Sequence, residues 1–176
     1  EIIVIDNDIK KTIDIDLKNK YPKVKYISAK TNLGFGAGNN LGASRARGEF
    51  LFFLNPDTIV KKNAIDGLVE FLEDHKNVGV VAPIFLDQNE KVYPFQGSEE
   101  LTPSSAIFSQ SFINKFMPKN PISKRYFLSD WDKKSPRRVG NVPGTAFLIR
   151  REIFERVGGF DENFFLYFEE FDLCKR

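Results

Sequence analysis

Cysteine, histidine and tryptophan are almost absent from this chain of 176 residues, which contains one of each. The single Cys174 excludes an internal disulfide framework and a cysteine cluster for zinc. The single His75 lies in the polar sequence EDHK, which is typical of a solvated helix end. Both Cys174 and His75 are interpreted as structural residues without a catalytic or metal-binding role.

The chain also lacks a large excess of charge of one sign and long apolar runs. The 26 basic and 24 acidic residues give a net charge of +2 without a long block of either sign, so no nucleic-acid partner is expected. No segment reaches the roughly 18 apolar residues of a membrane span, and the start, EIIVIDND, lacks the basic and apolar regions of a signal peptide. We expect a cytoplasmic protein, located at the inner face of the cell membrane if segments outside this chain attach it there.

Strand and helix patterns alternate along the chain, which predicts one α/β domain over residues 1–176. Apolar runs that are typical of strands occur at residues 1–6, 24–28, 49–54 and 78–82. The run FLFFL has no polar alternation, which indicates a strand buried on both faces. The pattern predicts three layers around a mostly parallel sheet, to which residues 142–149 add a strand for which an antiparallel orientation is one option.

Helical spacing is found between the predicted strands. Apolar residues recur on one helix face in two places, at Ile9, Ile13 and Leu17 and at Ile65, Leu68, Val69 and Leu72. Residues 84–138 are different, because five prolines interrupt them and only SSAIFSQSFINKF is typical of a helix. We interpret 84–138 as an irregular insertion or lid.

Three glycines, Gly34, Gly36 and Gly38, follow the second predicted strand in the sequence NLGFGAGNNLG. A dinucleotide-binding fingerprint is excluded because Asn39 occupies its third glycine position, and a P-loop is excluded because Gly-Lys-Ser/Thr is missing. A glycine-rich loop before a helix suits a nucleotide or sugar ligand. It equally suits a tight connection between a strand and a helix, so both interpretations stay open.

Acidic residues occur in three groups at the predicted ends of strands and helices. The groups are Asp6-Asn7-Asp8, Asn55-Pro56-Asp57, and Glu169-Glu170 with Asp172. Each group alone has an ordinary explanation as a helix cap, a turn or a solvated helix face. If the fold brings the groups together at one edge of the sheet, they form a functional site.

The order and spacing of four segments resemble family 2 glycosyltransferases of the GT-A fold, in particular their rhamnosyltransferase-like branch. The segments are EIIVIDND, TNLGFGAGNNLG, FLFFLNPDT and VPGTAFLIRREIFERVGGFDENFFLYFEEFDLCKR. The resemblance implies an inverting, metal-dependent hexosyltransferase that moves a sugar from a nucleoside-diphosphate donor to a saccharide or lipid-linked saccharide acceptor, in bacterial cell-surface polysaccharide synthesis. It makes 84–138 an acceptor-side region. It also implies that this chain is truncated at both ends, because the family's first strand and its continuation past the last helix are not matched.

The resemblance also implies roles for individual residues on the donor side. Asp6 is expected to contact the nucleobase, and Asn32, Gly34 and Asn55 are expected to belong to the donor site. Asp57 occupies the last position of the D-x-D signature, which binds Mg²⁺ or Mn²⁺. Asn55 stands where that signature often has aspartate. This departure leaves open an alternative, a catalytically idle domain that only binds nucleotide-sugars.

The acidic sequence EEFD near the end supplies the expected general base. Glu170 matches the second acidic position of the family's ED motif and is assigned as the base, while Glu169 is the reserve candidate. Adjacent helical residues point about 100° apart, so both carboxylates are not expected to face one hydroxyl. Asp172 is assigned a structural role. A nucleotidyltransferase is the weakest alternative, because no basic residue occurs from Asn32 to Gly42 to hold a triphosphate.

Overall fold

The structure is a computed structural model that describes residues 1–10, 17, 19–117 and 120–176. Its strands are β1 (Ile3–Asp6), β2 (Lys25–Ser28), β3 (Phe50–Leu54), β4 (Val80–Val81) and β5 (Ala146–Arg150). Its helices are α1 (Gly34–Ala43), α2 (Ala64–Asp74), α3 (Pro103–Gln110), α4 (Ile113–Phe116), α5 (Pro121–Tyr126), α6 (Arg151–Arg156) and α7 (Glu169–Lys175). The α/β class is confirmed.

The strands form two hydrogen-bonded groups. β1 and β2 are parallel, with Ile3 opposite Lys25. β5 lies between β3 and β4 and is antiparallel to both, so the antiparallel option is confirmed for residues 146–149, whereas residues 142–145 lie before the strand. This strand pairing differs from the predicted mostly parallel sheet. Strands β3 and β4 run in the same direction, but β5 lies between them and both form hydrogen bonds with β5 instead of with each other.

Alternating side chains of β3 face two different layers, which explains its continuous apolar sequence. Leu51 and Phe53 pack in a core cluster with α6 and with Phe35 of α1. Phe50 and Phe52 pack on the opposite side, against the face of α2 that buries Leu68 and Leu72. Since helices cover both faces, the predicted three-layer arrangement holds around β3.

The first of these core clusters centres on the ring of Phe53. The ring centroids of Phe147 and Phe154 each lie 5.1 Å from that of Phe53, and the centroid of Phe160 lies at 5.2 Å. Such separations are favourable for aromatic pairs in tilted or edge-to-face orientations. The cluster joins β3, β5, α6 and the segment after α6, so it fixes the elements that carry the polar residues discussed below.

The buried Arg150 at the end of β5 is explained by contacts at the end of α2. It is 7% exposed, and its Nη2 donates to the backbone oxygen of Leu72. Its guanidinium also lies 5.4 Å above the ring of Phe50. A cation is favourable at the carboxyl end of a helix, where backbone carbonyls lack partners.

Residues 84–138 contain more regular structure than their sequence indicates. The helix predicted for SSAIFSQSFINKF is confirmed as α3 and α4, which are separate helices. The sequence analysis missed α5 because Pro121 suggests a break, whereas proline suits the first turn of a helix. None of the helices in the described part of the chain has both the length and the apolar character needed to cross a membrane.

The two helices predicted from apolar spacing have different outcomes. The helix predicted from Ile9, Ile13 and Leu17 falls largely on residues 11–16 and 18, which lie outside the described ones. The helix predicted from Ile65 to Leu72 is confirmed as α2.

Replacing Phe53 by alanine tests the aromatic cluster. The substitution removes the central ring, and we expect Phe53→Ala to lower the free energy of unfolding by about 3–5 kcal/mol in chemical denaturation. Tyr93→Ala is the control, because Tyr93 is 51% exposed and its loss should change stability by no more than about 0.5 kcal/mol. Equal effects of the two substitutions would contradict the assignment of Phe53 to the core.

Candidate functional site

Asp6 occupies a buried position at the carboxyl end of β1, with an exposed fraction of 5%. Its Oδ1 accepts a 2.8 Å hydrogen bond from the backbone N–H of Asp8, and its Oδ2 accepts one from the hydroxyl of Tyr26 on β2. An ionised carboxylate offers about four acceptor positions, so these bonds orient Asp6 and still leave capacity for a ligand. The predicted nucleobase contact of Asp6 stays a prediction.

Asn7 joins the end of β1 to the start of α1. Its Nδ2 donates to the backbone oxygen of Gly34 over 2.9 Å, and its Oδ1 accepts from the backbone N–H of Leu33 over 3.4 Å. Asn32 lies at the same junction, where its Oδ1 accepts a 3.0 Å bond from the backbone N–H of Gly34. The structure therefore brings the polar end of β1 together with both Asn32 and Gly34.

The glycines that were open to interpretation as a loop lie inside a helix, because α1 begins at Gly34. Gly34, Gly36 and Gly38 are all buried. A Cβ on Gly34, whose φ is +79°, would lie 2.3 Å from the backbone oxygen of Phe165, and one on Gly36 would lie 3.2 Å from the Cβ of Phe160. These glycines allow the backbone of α1 to approach the segment after α6 closely.

Several backbone N–H groups at the start of α1 already donate hydrogen bonds to acceptors within the protein. The backbone N–H of Phe35 donates to the backbone oxygen of Phe165 over 3.1 Å, and those of Leu33 and Gly34 are bonded to the asparagine side chains described above. An anion-binding helix end needs N–H groups directed at the ligand. These three groups are directed at the protein, so close packing explains this part of the sequence.

Asn40 of α1 holds the segment between α6 and α7. Its Nδ2 donates to the backbone oxygen of Phe160 and to Oε1 of Glu162, both over 2.9 Å. Its Oδ1 accepts from the backbone N–H of Phe160, also over 2.9 Å. One amide thus uses its donor and acceptor sides to attach a loop that is 120 residues away in sequence.

The chain enters α7 through an exposed and conformationally unusual segment. Residues Phe165 to Phe168 have exposed fractions between 42% and 71%. Tyr167 and Phe168 have φ values of +72° and +71°, in the left-handed region that costs a residue other than glycine of order 1–3 kcal/mol. This backbone path delivers Glu169 and Glu170 into the first turn of α7.

Glu169 is a buried carboxylate that faces α1. Its exposed fraction is 2%, and its Cγ lies 3.5 Å from the position that a Cβ would occupy if Gly36 were replaced by alanine. Its Oε1 is buried without a hydrogen-bond partner among the described residues. A buried acceptor without a donor costs roughly 1–3 kcal/mol, and the amino end of α7 offsets part of that cost for a negative charge.

Glu170 is half-buried and faces the turn before β5. Its Oε1 lies 3.5 Å from the position of a Cβ on Gly144. Burial raises the pKa of Glu170 above its ordinary value of 4.5, and the negative charge of Glu169 raises it further, while the backbone N–H groups of Glu170 and Gly144 lower it. A carboxylate whose pKa is raised towards neutral is a stronger general base.

Asp172 has the structural setting that the sequence analysis assigned to it. Its Oδ2 lies 2.6 Å from Nη2 of Arg176, the residue that directly follows α7. The same Nη2 donates to the backbone oxygen of Gly159 over 2.7 Å. The pair ties α7 to the turn that ends α6.

Asn55 and Asp57 follow β3 in different environments. The backbone N–H of Asn55 donates to the backbone oxygen of Thr145 over 2.9 Å, so Asn55 lies beside the turn that Glu170 contacts. Asp57 is exposed, and no hydrogen bond or ion pair in the described part of the chain engages its carboxylate. Asn55 is therefore fixed by the sheet, whereas Asp57 is available to a ligand from solvent.

The donor set permits a divalent cation that is shared with a ligand. Among the described residues, no three His, Cys, Asp or Glu side chains cluster in a way that would hold a metal alone. The exposed Asp57 supplies hard oxygen atoms, and Mg²⁺ in proteins is commonly held by one or two carboxylates together with substrate phosphates. These residues therefore suit a cation whose coordination is completed by the oxygen atoms of a diphosphate.

Contacts connect the predicted groups in one series. The end of β1 bonds to the start of α1, α1 contacts α7, α7 contacts the turn before β5, and that turn bonds to the end of β3. Asp6, Asn32, Gly34, Asn55 and both glutamates belong to this series. Asp57 lies two residues beyond Asn55, the last member of the series, and among the described residues no hydrogen bond or ion pair joins its carboxylate to the others.

Sequence analysis assigned no individual role to three residues that build this arrangement. Asn7 had a visible signal, because an amide between two acids after a strand is a candidate for linking backbone groups. Gly144 had a weaker signal as the glycine of the turn VPGT. Asn40 had none, because its partners belong to a distant part of the chain.

Comparison with known proteins identifies relatives. The sequence profile described as Glycosyl transferase family 2 matches residues 1–158, which end before α7. N-acetylglucosaminyl-diphospho-decaprenol L-rhamnosyltransferase of Mycobacterium tuberculosis is 29% identical, and the match covers 89% of this chain and 54% of the relative. Rhamnosyltransferase WbbL of Escherichia coli is also 29% identical, with 89% and 58% covered. The chain spans about half the length of the curated relatives it matches.

Solved structures share the fold. The crystal structure of GalNAc-T7 with UDP, GalNAc and Mn²⁺ matches with a TM-score of 0.62 and 19% identity, over 99% of this chain and 33% of that one. The structure of Staphylococcus aureus TarS in complex with UDP matches with a TM-score of 0.56 and 17% identity, over 99% and 44%. These neighbours have the GT-A fold.

Adding one methyl group at Gly34 tests the close packing of α1. Gly34→Ala places a Cβ against the backbone of Phe165 at a positive φ, so we expect a loss of about 2 kcal/mol or more in unfolding free energy. Gly67→Ala in α2 is the matched control, because nothing lies within 4 Å of its Cβ, and it should gain about 0.5–1 kcal/mol. A neutral result for Gly34→Ala in urea denaturation would show that the contact is not needed.

Proposed function

This chain belongs to glycosyl transferase family 2, and on that premise we propose that the protein is an inverting hexosyltransferase. It transfers a sugar from a nucleoside-diphosphate donor to a hydroxyl group of a saccharide or lipid-linked saccharide, in bacterial cell-surface polysaccharide synthesis. The name of the M. tuberculosis relative, which specifies rhamnose and a diphospho-decaprenol saccharide, supports this acceptor class. The proposed location is the cytoplasmic face of the membrane that holds such an acceptor.

One observation carries the proposal. The side chains expected to hold a donor follow β1 and β3, the expected base begins α7, and the series of contacts described above joins these three places. Nothing in the local sequence requires the start of α7 to meet the turn before β5. A carboxylate of raised pKa that is connected in this way to the proposed donor site suits the transfer of a sugar from a nucleotide-sugar.

In the proposed reaction, the acceptor hydroxyl attacks the anomeric carbon while the bond from that carbon to the diphosphate breaks. Glu170 takes the hydroxyl proton, which requires its carboxylate to lie within about 3 Å of the acceptor oxygen. Glu169 remains buried against α1 and acts on Glu170 through its charge. Single displacement inverts the configuration of the anomeric carbon.

Asp57, with the neighbouring Asn55, is proposed to hold Mg²⁺ or Mn²⁺ together with the donor diphosphate. The bound cation would neutralise the charge that develops on the leaving diphosphate. The Mn²⁺ in the GalNAc-T7 structure supports a divalent ion in this fold. Asp6 is proposed to accept a hydrogen bond from the nucleobase through its remaining lone pairs, and Asn32 and Gly34 are proposed to shape the same donor site through the hydrogen bonds that pack the start of α1 against the end of β1.

A catalytically idle nucleotide-sugar-binding domain is the second candidate. It is favoured by Asn55 at a position where the metal signature often has aspartate, which leaves Asp57 as the single carboxylate there. The two candidates differ in turnover and agree in binding. The full-length protein should be incubated with nucleoside-diphosphate sugars, Mn²⁺ and a lipid-linked saccharide, and donor binding and product should both be measured. Binding without transfer or donor hydrolysis would favour the idle domain.

Paired substitutions of the two glutamates test the assignment of the base. Glu170→Gln keeps the side-chain size but removes the proton acceptor, so we expect transfer to fall by roughly 10²–10⁴-fold with donor affinity nearly unchanged. The wild-type rate should decline as pH falls through the raised pKa of Glu170. Glu169→Gln removes a negative charge that raises this pKa, so the decline should move to lower pH.

The pH–rate profiles of both variants decide between the glutamates. If Glu169→Gln abolishes the acidic decline and costs more activity than Glu170→Gln, Glu169 is the base.

Metal titration tests Asp57. Asp57→Ala removes the carboxylate proposed to bind the cation, so Mn²⁺-dependent transfer should be lost, whereas Asn55→Asp adds a carboxylate and should preserve or strengthen Mn²⁺ dependence. Asp6→Ala is the comparison variant, because it should weaken nucleotide binding and change the Mn²⁺ requirement less. An unaltered Mn²⁺ titration curve for Asp57→Ala would end the assignment.

A further inference from the structure

Residues 101–129 have a charge composition that differs from the balanced chain as a whole. They contain no aspartate or glutamate, but three lysines and one arginine. Lys115, Lys124 and Arg125 are exposed, and among the described residues no ion pair joins any of them to a carboxylate. Helices α3, α4 and α5 together with the described residues that connect them, which we call the α3–α5 unit, therefore present an unneutralised positive surface.

The interior of the α3–α5 unit is built largely from polar side chains. Ser109 donates from its hydroxyl to that of Ser123 over 3.2 Å, and Ser123 donates to the backbone oxygen of Phe108 over 2.7 Å. The buried Asn120 accepts from the backbone N–H of Ser123 over 2.8 Å and donates to the backbone oxygen of Met117 over 2.7 Å. Hydrogen bonds therefore hold α3 against α5.

Large apolar side chains lie on the outside of the same unit. Ile107 is 51% exposed and follows Ser105 by two residues, so about 200° of helix rotation separates it from the buried Ser105 face. Phe112, directly before α4, and Phe116, its last residue, are 74% and 78% exposed. Met117 adds a further side chain that is 55% exposed. The buried side of this unit is therefore largely polar, while several large apolar side chains are exposed in addition to its basic residues, which is unusual for helices surrounded by water.

We propose that the α3–α5 unit is a docking surface for an anionic lipid bilayer. Its exposed phenylalanines enter the interface between headgroups and acyl chains, while Lys115, Lys124 and Arg125 contact acidic headgroups. Short helices with these residues can insert shallowly without crossing the bilayer. A second copy of the same surface is a poor partner, because two surfaces without acidic residues repel each other.

Vesicle binding of the full-length protein tests this surface directly. The protein should co-sediment with vesicles of phosphatidylcholine mixed with phosphatidylglycerol, bind less to phosphatidylcholine alone, and release as salt is raised. The double variant Phe112→Ser, Phe116→Ser should lower the partition constant roughly tenfold. The triple variant Lys115→Glu, Lys124→Glu, Arg125→Glu should lower it roughly a hundredfold on the anionic vesicles.

Matched variants elsewhere on the chain separate this surface from general effects of charge and apolarity. Tyr93→Ser removes an exposed aromatic side chain, and Lys23→Glu with Lys76→Glu and Lys91→Glu reverses exposed lysines outside the unit. Both control variants should keep most of the wild-type binding. Equal losses in the control and test variants, or no vesicle binding by the wild type, would overturn the proposal.

A fluorescent probe distinguishes a bilayer from a protein occupant. With the native cysteines, Cys174 among them, replaced by serine, Phe116→Cys is labelled with a polarity-sensitive dye. Vesicles should shift its emission to the blue, whereas a label at Tyr93→Cys should not respond. Emission that is already blue-shifted without lipid would mean that protein covers the surface, from a second copy if the shift depends on concentration, and would refute bilayer docking.

The test is independent of the proposed function. Affinity for the nucleotide-sugar donor should be unchanged in the phenylalanine double variant, because neither residue belongs to the proposed donor site. If transfer is absent in all proteins while vesicle binding follows the predicted order, the proposed function fails and the docking surface stands.

Discussion

The close approach of α1 to the segment before α7 is the constraint on which the site depends. With Gly34 and Gly36 at the contact, the backbone of α1 reaches the Phe160–Phe165 segment at distances that a side chain would prevent. Asn40 then fixes that segment by three hydrogen bonds, and the aromatic cluster around Phe53 holds it from the other side. The position of α7, and with it the proposed base, follows from this packing.

The same packing gives two adjacent glutamates different chemical environments. Glu169 faces α1 and is removed from water, whereas Glu170 faces the turn before β5 and remains half-buried. Since the charge of Glu169 raises the pKa of Glu170, the buried residue contributes to the basicity of its neighbour. A carboxylate that is costly to bury thus has a chemical consequence at the proposed site.

Several features were predictable because their signals are local. The apolar run of β3 and the helical spacing of α2 each reflect burial within one element. The resemblance to family 2 glycosyltransferases, based on four segments and their order, is confirmed by the family match over residues 1–158. The roles of Glu170 and Asp57 are less accessible, because they depend on a donor and an acceptor that sequence patterns do not specify.

The sequence by itself determined the α/β class, the family and the residue types at the proposed site. Only the tertiary structure decided that the three glycines belong to α1, that β5 lies between β3 and β4, and that α5 begins at Pro121. It also decided which glutamate is buried. The physical reason is range: propensity and periodicity act over a few residues, whereas strand order, burial and the contacts of Asn40 depend on segments that are distant in the chain.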